Sequence, residues 1–195
     1  QKQDNGSSKQ TNIYNLIQLI VRNGEQIVYE EDTICLRAGE YIINELRKDN
    51  ISVDNPLYQR ILDEYLAHCK EPNWIAATYF QYHPDIQISQ VAVEMLADKY
   101  QLSRMYSRQT VSENVVKEVD PSTTQETLSE LTIRLLLELK YTIVNERIES
   151  MKKMLLDAQN KGDWELQRTI LEQQPQLMFI RQQLCQALGN RVIVK

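Results

Sequence analysis

Residues 123–167 read TTQETLSELTIRLLLELKYTIVNERIESMKKMLLDAQNKGDWELQ, and this segment decides the fold. Thr123 and Glu126 have the T-x-x-E spacing of a capping box, in which each side chain covers the other's free backbone N–H. Neither Gly nor Pro follows until Gly162, so the segment predicts one helix of roughly 55 Å. Because a helix of that length exceeds what one bundle needs, we expect it to carry something away from the body of the protein.

The two halves of this predicted helix differ in polarity. Residues 128–144 are apolar nearly all round, which predicts a helix buried on most of its sides. After Asn145 the apolar residues form a single stripe, made by Ile148, Met151, Met154, Leu155 and Ala158. The first half is therefore expected inside a bundle, and the second half is expected to emerge from it with one apolar side.

The end of the chain predicts a short helical hairpin. Gly162 suits the left-handed residue after a helix end, and Asp163 suits the next N-cap. Pro175 suits the first turn of a last helix, because its missing N–H would have no intrahelical partner there. The fold class that follows is all-α, with a multi-helix bundle joined by a long helix to a C-terminal helical hairpin.

The earlier part of the chain predicts several short helices. Apolar spacing and capping residues give helices at 12–23, from Asn55 and Pro56 to about Cys69, at 74–82 and at 88–100. Residues 26–36 allow either a small β-hairpin or a helix that Thr33 caps and that runs to about Lys48, and we prefer the helix for the second part. Residues 102–108 are predicted to be irregular, and 110–124 are predicted to form a loop. The expected domains are a flexible linker at 1–11, a bundle at 12–145 and an arm at 146–195.

Charge argues against a nucleic-acid groove as the main surface. The net charge is −5, whereas phosphate binding needs clustered Lys and Arg. Residues 1–120 hold 12 Lys and Arg against 18 Asp and Glu, and residues 121–195 hold 10 against 9. The body is thus acidic and the arm is nearly neutral, which is compatible with an arm that docks on protein.

Three cysteines indicate the expected compartment. Cys35, Cys69 and Cys185 are odd in number and far apart, which favours a reducing cytoplasm over a disulfide framework. The best apolar run contains Arg134, Glu138 and Lys140, so no membrane span is expected. The chain has no initiator Met and opens on QKQDNGSSKQ, so we expect it to be a fragment of a longer protein.

No motif for catalysis, a cofactor or a metal stands out. His68, Cys69 and Glu64 could be imagined as a metal site, but metal sites need several ligands at set spacings, and Cys69 completes an apolar stripe. Cys185 lies among Gln and Leu without a histidine in its segment, so a packing role is expected. The chain is therefore expected to be non-catalytic and to hold no cofactor or metal.

The remaining signal is an apolar surface near the C-terminus. Trp164, Ile170, Met178 and Phe179 lie in a hairpin too small to bury them all. They either pack on the long helix, fold back on the body of the protein, or stay exposed as anchors for a partner, because aromatic and Met residues are enriched in such patches. The stripe of Leu177, Ile180, Leu184 and Leu188 is expected to fix the hairpin. The candidate partner-binding residues are Ile170, Met178, Phe179, Arg181, Gln182, Cys185 and Arg191.

The chain resembles the C-terminal helicase-interaction domain of bacterial replicative DNA primases of the DnaG type. The residues that carry the resemblance are LIQLIVRNGE (16–25), YIINELRKDN and DNPLYQRILDEY (within 41–65), HPDIQISQVAVEMLADKYQLS (83–103), and SELTIRLLLELK, AQNKGDWE and RQQLCQALGNR (within 129–191). In that family a helical bundle is joined by a long helix to a terminal hairpin. The hairpin binds the N-terminal domain of the hexameric replicative helicase, and the bundle helps to stimulate that helicase.

The resemblance implies a cytoplasmic role in DNA replication, within a primosome, without catalysis by this fragment. The family's zinc-binding module needs Cys and His clusters, and its polymerase core needs an acidic metal-binding motif, and this sequence has neither. The parent protein would be a DNA-directed RNA polymerase. Neither strong nucleic-acid binding by the fragment nor a membrane is expected.

A second hypothesis is a stand-alone structural or oligomerisation protein, whose long helix pairs with its own copy as a coiled coil. A coiled coil needs a strict a/d repeat with charged e/g positions over several heptads. The first half of the long helix is too apolar all round for this pattern, and the stripe after Asn145 is too short.

Overall fold

The computed structural model describes residues 5–31, 34–109 and 127–189, which are mostly helical and include one β-hairpin. The elements are α1 Asn5–Asn23, β1 Ile27–Glu31, β2 Ile34–Arg37, α2 Ala38–Lys48, α3 Pro56–His68, α4 Ala76–Gln81, α5 Ile86–Gln109, α6 Leu128–Lys161 and α7 Trp164–Ala187. The predicted all-α class is confirmed. No helix in these ranges is long and apolar enough to cross a membrane.

The chain divides into two compact units. One, the bundle unit, is Tyr14–Thr132, and the other, the hairpin unit, combines Gln1–Ile13 with Ile133–Lys195. The sequence-based boundary lay at 145/146, whereas this division falls at 132/133. The units also differ in charge, since the bundle unit holds 10 Lys and Arg against 19 Asp and Glu, and the hairpin unit holds 12 against 8.

The bundle unit has its own apolar core. Its largest fully buried side chains include Tyr65 and Phe80, together with Leu16, Ile17, Ile20, Val21, Ile42, Ile61, Ile88 and Met95. Tyr65 packs edge-on against Trp74, with the ring centroids 5.5 Å apart. The predicted inward faces of α1, α3 and α5 supply most of this core, because their apolar residues recur at helical spacing.

Strands β1 (Ile27–Glu31) and β2 (Ile34–Arg37) form a β-hairpin, and the preference for a helix from Thr33 was wrong. Strands β1 and β2 pair antiparallel, with Glu30 opposite Cys35 and an irregularity between Ile27 and Tyr29. Helix α2 begins only at Ala38, whose N–H donates to the Gln26 carbonyl at 2.8 Å. Isoleucine, valine, tyrosine and cysteine in these two short runs fit a half-exposed pleated surface better than a helix.

The predicted start of α3 is confirmed. The Asn55 side chain accepts a hydrogen bond from the Leu57 N–H at 2.9 Å, and Pro56 follows as the first helical residue. Helix α4 is shorter than predicted, and α5 is longer, since it runs through residues 102–108, which were predicted to be irregular. That stretch contains neither Gly nor Pro, so nothing in it stops a helix already formed upstream. The predicted loop at 110–124 lies outside the described residues.

Arg60 joins α3 to the start of α5 and makes one contact that depends on pH. Its Nη1 lies 2.6 Å from Asp85 Oδ2. The hydrogen bond from Arg60, followed by one from the Gln87 backbone, lowers the pKa of Asp85 below its ordinary value of 3.8. A carboxyl group whose pKa is lowered by folding contributes stability above its unfolded pKa, and this contribution is lost as pH falls through the lowered folded value.

We therefore expect Asp85→Asn to flatten the pH dependence of the free energy of unfolding below about pH 4. Asparagine keeps the side-chain oxygen that accepts from the Gln87 N–H at 2.9 Å, so the start of α5 is retained. Urea titrations at a series of pH values measure the slope. Asp63→Asn is the control, since Asp63 accepts only from Gln59 on its own helix. An unchanged slope in Asp85→Asn would contradict the assignment.

Helix α6 begins at Leu128, one turn later than predicted. Thr123 and Glu126 lie outside the described residues, and the same T-x-x-E pattern recurs at Thr127 and Glu130. The Thr127 N–H donates to Glu130 Oε2 at 2.8 Å, and the Glu130 N–H donates to Thr127 Oγ1 at 3.2 Å. This reciprocal pair is a capping box, so the predicted motif is correct in kind and displaced in position.

A candidate docking groove on the C-terminal hairpin

The turn between α6 and α7 forms as predicted. Gly162 adopts a φ of 70°, and the Asp163 N–H donates to the Ala158 carbonyl at 2.9 Å. The Asp163 side chain then accepts from the Leu166 N–H at 3.0 Å and caps α7. Glycine is favoured here because the left-handed conformation carries no Cβ penalty. The Gln167 amide also donates to the Ala158 carbonyl at 3.2 Å, which ties the start of α7 back to α6.

The segment after this turn is one helix, and the prediction of two short helices was wrong. Helix α7 runs without a break from Trp164 to Ala187, with Pro175 inside it rather than in a first turn. The hairpin is therefore made by α6 and α7 themselves. Pro175 has no N–H to donate to the Leu171 carbonyl, which normally costs about 3 kcal/mol within a helix.

Packing on one face holds α7 together on both sides of Pro175. Seven of the buried and half-buried positions recur in steps of three and four residues, which is the spacing of a helix face that packs on a neighbour. These positions are Gln167, Ile170, Gln174, Leu177, Arg181, Leu184 and Leu188. On α6, Ile148, Met151 and Ala158 are buried within the same unit. The apolar stripe after Asn145 is thus largely buried within the single chain, although Met154 stays 45% exposed.

Beside this packed face lies an open groove of about 530 Å³, which we call the hairpin groove. Tyr141 lines it from α6, and α7 contributes Pro175, Met178, Phe179, Arg181, Gln182 and Cys185. Met178, Arg181 and Cys185 are half-buried, whereas Phe179 is 59% exposed. An exposed phenylalanine next to half-buried apolar groups is the arrangement of an anchor that a partner can cover.

Five of the seven sequence-predicted partner-binding residues line this one groove. They are Met178, Phe179, Arg181, Gln182 and Cys185. Ile170 lies on the same helix, not on a partner helix, and is only 5% exposed, so it packs inside the hairpin. Arg191 lies outside the described residues.

Sequence reasoning missed two residues that line the groove, Tyr141 and Pro175. Tyr141 is the only aromatic residue of α6, and it lies near the end of the apolar half of the helix. A lone tyrosine close to the change of polarity was a usable signal for a groove residue, because its ring is apolar and its hydroxyl is polar. Pro175 was missed because it was interpreted as a helix start.

The exposed face of α7 extends the apolar surface beyond the groove. Trp164 is 77% exposed and Leu171 is 52% exposed. With Pro175 and Phe179 they stand at i, i+7, i+11 and i+15, which places all four on one side of the helix. Arg168 and Glu172 lie on the same side and pair with each other at 2.9 Å. The sequence expectation that the hairpin cannot bury all of its large apolar residues is confirmed for Trp164 and Phe179.

The histidines and Cys69 take structural positions in the bundle unit. His83 Nδ1 accepts the Asp85 N–H at 3.0 Å, which leaves the proton on Nε2, and Nε2 lies 2.6 Å from Glu64 Oε2. His68 pairs with Glu71 at 2.7 Å, and Cys69 is 1% exposed. Burial, followed by the nearby Glu40 carboxylate, raises the pKa of the Cys69 thiol and keeps it protonated and unreactive. In the part of the chain that the structure describes, no group of three or more His, Cys, Asp and Glu side chains could hold a metal.

The fold and the groove define an all-α chain of two units, one of which ends in a helical hairpin with an open apolar groove. The chain belongs to the family described as "Domain of unknown function (DUF8430)", whose model matches residues 7–192. No curated protein and no solved structure matches the chain.

Proposed function

We propose that this chain is a protein-docking module, the helicase-binding C-terminal domain of a bacterial DNA primase. The hairpin unit docks on the N-terminal domain of the replicative helicase hexamer, and the domain modulates the helicase during DNA replication. The single observation that carries the proposal is Phe179, which is 59% exposed at the edge of the hairpin groove. Partner-binding sites are typically built from such aromatic anchors beside half-buried pockets.

The layout supports the proposal. A helical bundle, a long helix and a terminal hairpin are what the resemblance to the primase domain implies, and α6 with its 34 residues precedes α7 in this order. The acidic bundle unit, with 19 Asp and Glu, is a poor surface for nucleic acid, because phosphates need clustered cations. The charge of the bundle unit therefore favours docking on a protein over binding to DNA.

The alternative of a self-associating coiled coil has less support. The apolar stripe on the second half of α6 is the surface that a second copy would need. Ile148, Met151 and Ala158 on this stripe are already buried within one chain. A coiled coil through α6 would have to expose them first, at a cost of roughly 25 cal/mol for each Å² uncovered.

We expect Phe179→Ala to weaken binding to the helicase N-terminal domain by more than about tenfold, because the loss of a central aromatic anchor commonly costs about 2 kcal/mol or more. Isothermal titration calorimetry measures the affinity, and circular dichroism confirms that the variant stays folded. Leu156→Ala is the matched control, because Leu156 is also 59% exposed and lies on α6 outside the groove. If Phe179→Ala binds as tightly as the unmodified chain, the hairpin groove is not the docking site.

A further inference from the structure

Tyr141 is a wall shared by two cavities of the hairpin unit. On one side it lines the hairpin groove with residues of α7. On the other side it lines a second cavity of about 240 Å³, which we call the acidic pocket. The remaining residues of the acidic pocket are Ser8 from α1 and Thr142, Asn145, Glu146 and Glu149 from α6. The two cavities are therefore adjacent, and the residues that line the acidic pocket are mostly of polar types.

One hydrogen-bond acceptor of the acidic pocket, on Glu146, has no donor within the described part of the chain. Glu146 Oε1 is buried and has no hydrogen-bond partner there. A buried carboxylate oxygen without a partner has lost its hydrogen bonds to water and has not regained one within the chain. Glu149 does not share this state, because it pairs with Lys152 at 2.7 Å. Glu146 as a whole is only half-buried and lines the pocket, so its carboxylate can meet a donor that enters the pocket from outside the chain.

A positively charged side chain fits this position better than a metal ion. Calcium needs six to eight oxygen ligands and magnesium needs a near-ideal octahedron, whereas the pocket offers two carboxylates, one already paired with Lys152. A Lys or Arg side chain needs only acceptors for its N–H groups, and Glu146, Asn145 and Thr142 all carry them. The charge of the pocket therefore selects a basic side chain.

The spacing of the two cavities indicates how such a side chain arrives. Tyr141 is the wall that the two cavities share, and Glu146 lies five positions further along α6, a rise of about 7.5 Å and a turn of about 140° around the helix axis. On a second helix, residues three or four positions apart have Cβ atoms about 5–6 Å apart, and the flexible stems of Lys and Arg add reach. One helix can therefore place an apolar side chain in the hairpin groove and a basic side chain in the acidic pocket.

We infer that the two cavities together bind a helical segment of a partner protein that carries an apolar residue for the hairpin groove and a Lys or Arg for Glu146. The inference rests on the proposed function for the identity of the partner, and it adds the chemistry that the partner must present. The apolar anchor supplies most of the affinity, and the ion pair with Glu146 sets the register of the helix.

The first test measures the salt dependence of binding to the helicase N-terminal domain. Glu146→Gln keeps the size of the side chain and removes its charge, so we expect affinity to fall by about tenfold or more and the salt dependence to become weaker. Phe179→Ala should lower the affinity without changing the salt dependence. Asp157→Asn is the matched control, because Asp157 is an exposed carboxylate on the same helix outside both cavities.

The outcomes separate this inference from the proposed function. If Phe179→Ala weakens binding while Glu146→Gln leaves affinity and salt dependence unchanged, the ion pair is wrong and helicase docking stands. If neither the unmodified chain nor any variant binds the helicase domain, the proposed function fails. The inference is then decided by a probe that does not depend on the helicase.

That probe is a displayed library of amphipathic helical peptides, selected on the full chain. We expect enriched peptides to carry Lys or Arg three or four positions from a large apolar residue, and we expect this preference to disappear on Glu146→Gln. The inference would be overturned if the enriched peptides showed no preference for Lys or Arg. It would also be overturned if the unmodified chain enriched no more peptides than the Phe179→Ala variant. Sedimentation equilibrium supplies a further check, because a dimer that Phe179→Ala dissociates would assign the groove to a second copy instead.

Discussion

Gly39→Ala is expected to lower the free energy of unfolding of the bundle unit by about 2–3 kcal/mol, because the added methyl group would overpack a rigid site. Its Cβ would lie 2.5 Å from Cε1 and 2.7 Å from the hydroxyl oxygen of Tyr65. Alanine normally stabilises a helix by about 1 kcal/mol relative to glycine, so the clash has to outweigh that gain. Urea denaturation followed by circular dichroism measures the difference.

Tyr65 cannot move aside easily, which is why the clash is expected to be costly. Its hydroxyl donates to the Gly24 carbonyl at 2.6 Å, and the Gly39 N–H donates to the same carbonyl at 3.1 Å. A Cβ on Gly24 would lie 2.7 Å from the opposite edge of the ring, so the ring is confined on two sides. Tyr65 is 0% exposed, and burial strongly raises the pKa of its phenol, so the hydroxyl stays protonated and keeps donating.

Gly162→Ala provides the matched control for Gly39→Ala. A Cβ at Gly162 would meet nothing within 4 Å, although the residue has a φ of 70°. Its cost is then only the left-handed strain of a non-glycine residue, about 1–2 kcal/mol. If Gly39→Ala were as stable as the unmodified chain, the junction of Gly24, Gly39 and Tyr65 would not be as rigid as its distances indicate.

This junction also shows what sequence patterns can predict. Asn55, Pro56 and the apolar face of α3 were predicted correctly, because capping and helical spacing depend on residues a few positions apart. The same helical spacing places Tyr65 on the apolar face of α3. Its contacts with Gly24 and Gly39 join residues separated by more than twenty positions, and no local pattern signals them.

The errors in the sequence-based prediction of the C-terminal hairpin also come from contacts between residues far apart in the chain. Pro175 was taken as a helix start, since proline is unfavourable inside a helix that stands alone. In the structure Ile170 and Leu177 lie on the same packed face on either side of it, so tertiary packing overrides the local preference. The groove residues of α7 were found because they are neighbours in sequence. Tyr141 was missed because only the return of α7 along α6 brings it beside them.

The β-hairpin at 27–37 marks the limit of periodicity arguments. Its two runs of four or five residues are too short to separate a strand from a helix by spacing. The antiparallel pairing and the contact of Ala38 with Gln26 decide between them, and both are non-local. The helix therefore begins at Ala38, where this pairing ends.

Ile170→Asp is expected to open the hairpin unit and leave the bundle unit intact. Ile170 is 5% exposed and is the one fully buried residue of α7. Removing its apolar side chain and placing a carboxylate there should cost about 3 kcal/mol or more, because the charge has no partner and the aliphatic contacts are lost. Hydrogen exchange should show loss of amide protection along α7, while protection around Ile61, Tyr65 and Phe80 is retained.

The same variant connects the fold to the proposed function. The hairpin groove needs Tyr141 on α6 and Met178 and Phe179 on α7 to stay side by side, so opening the hairpin should also abolish binding to the helicase N-terminal domain. Gln173→Asp is the matched control, since it adds the same charge at an exposed position of α7 outside the groove. If Ile170→Asp lost protection throughout the bundle unit as well, the two units would unfold as one. If α7 lost protection and binding persisted, docking would have to occur outside the hairpin groove, because the groove cannot form without the packed hairpin.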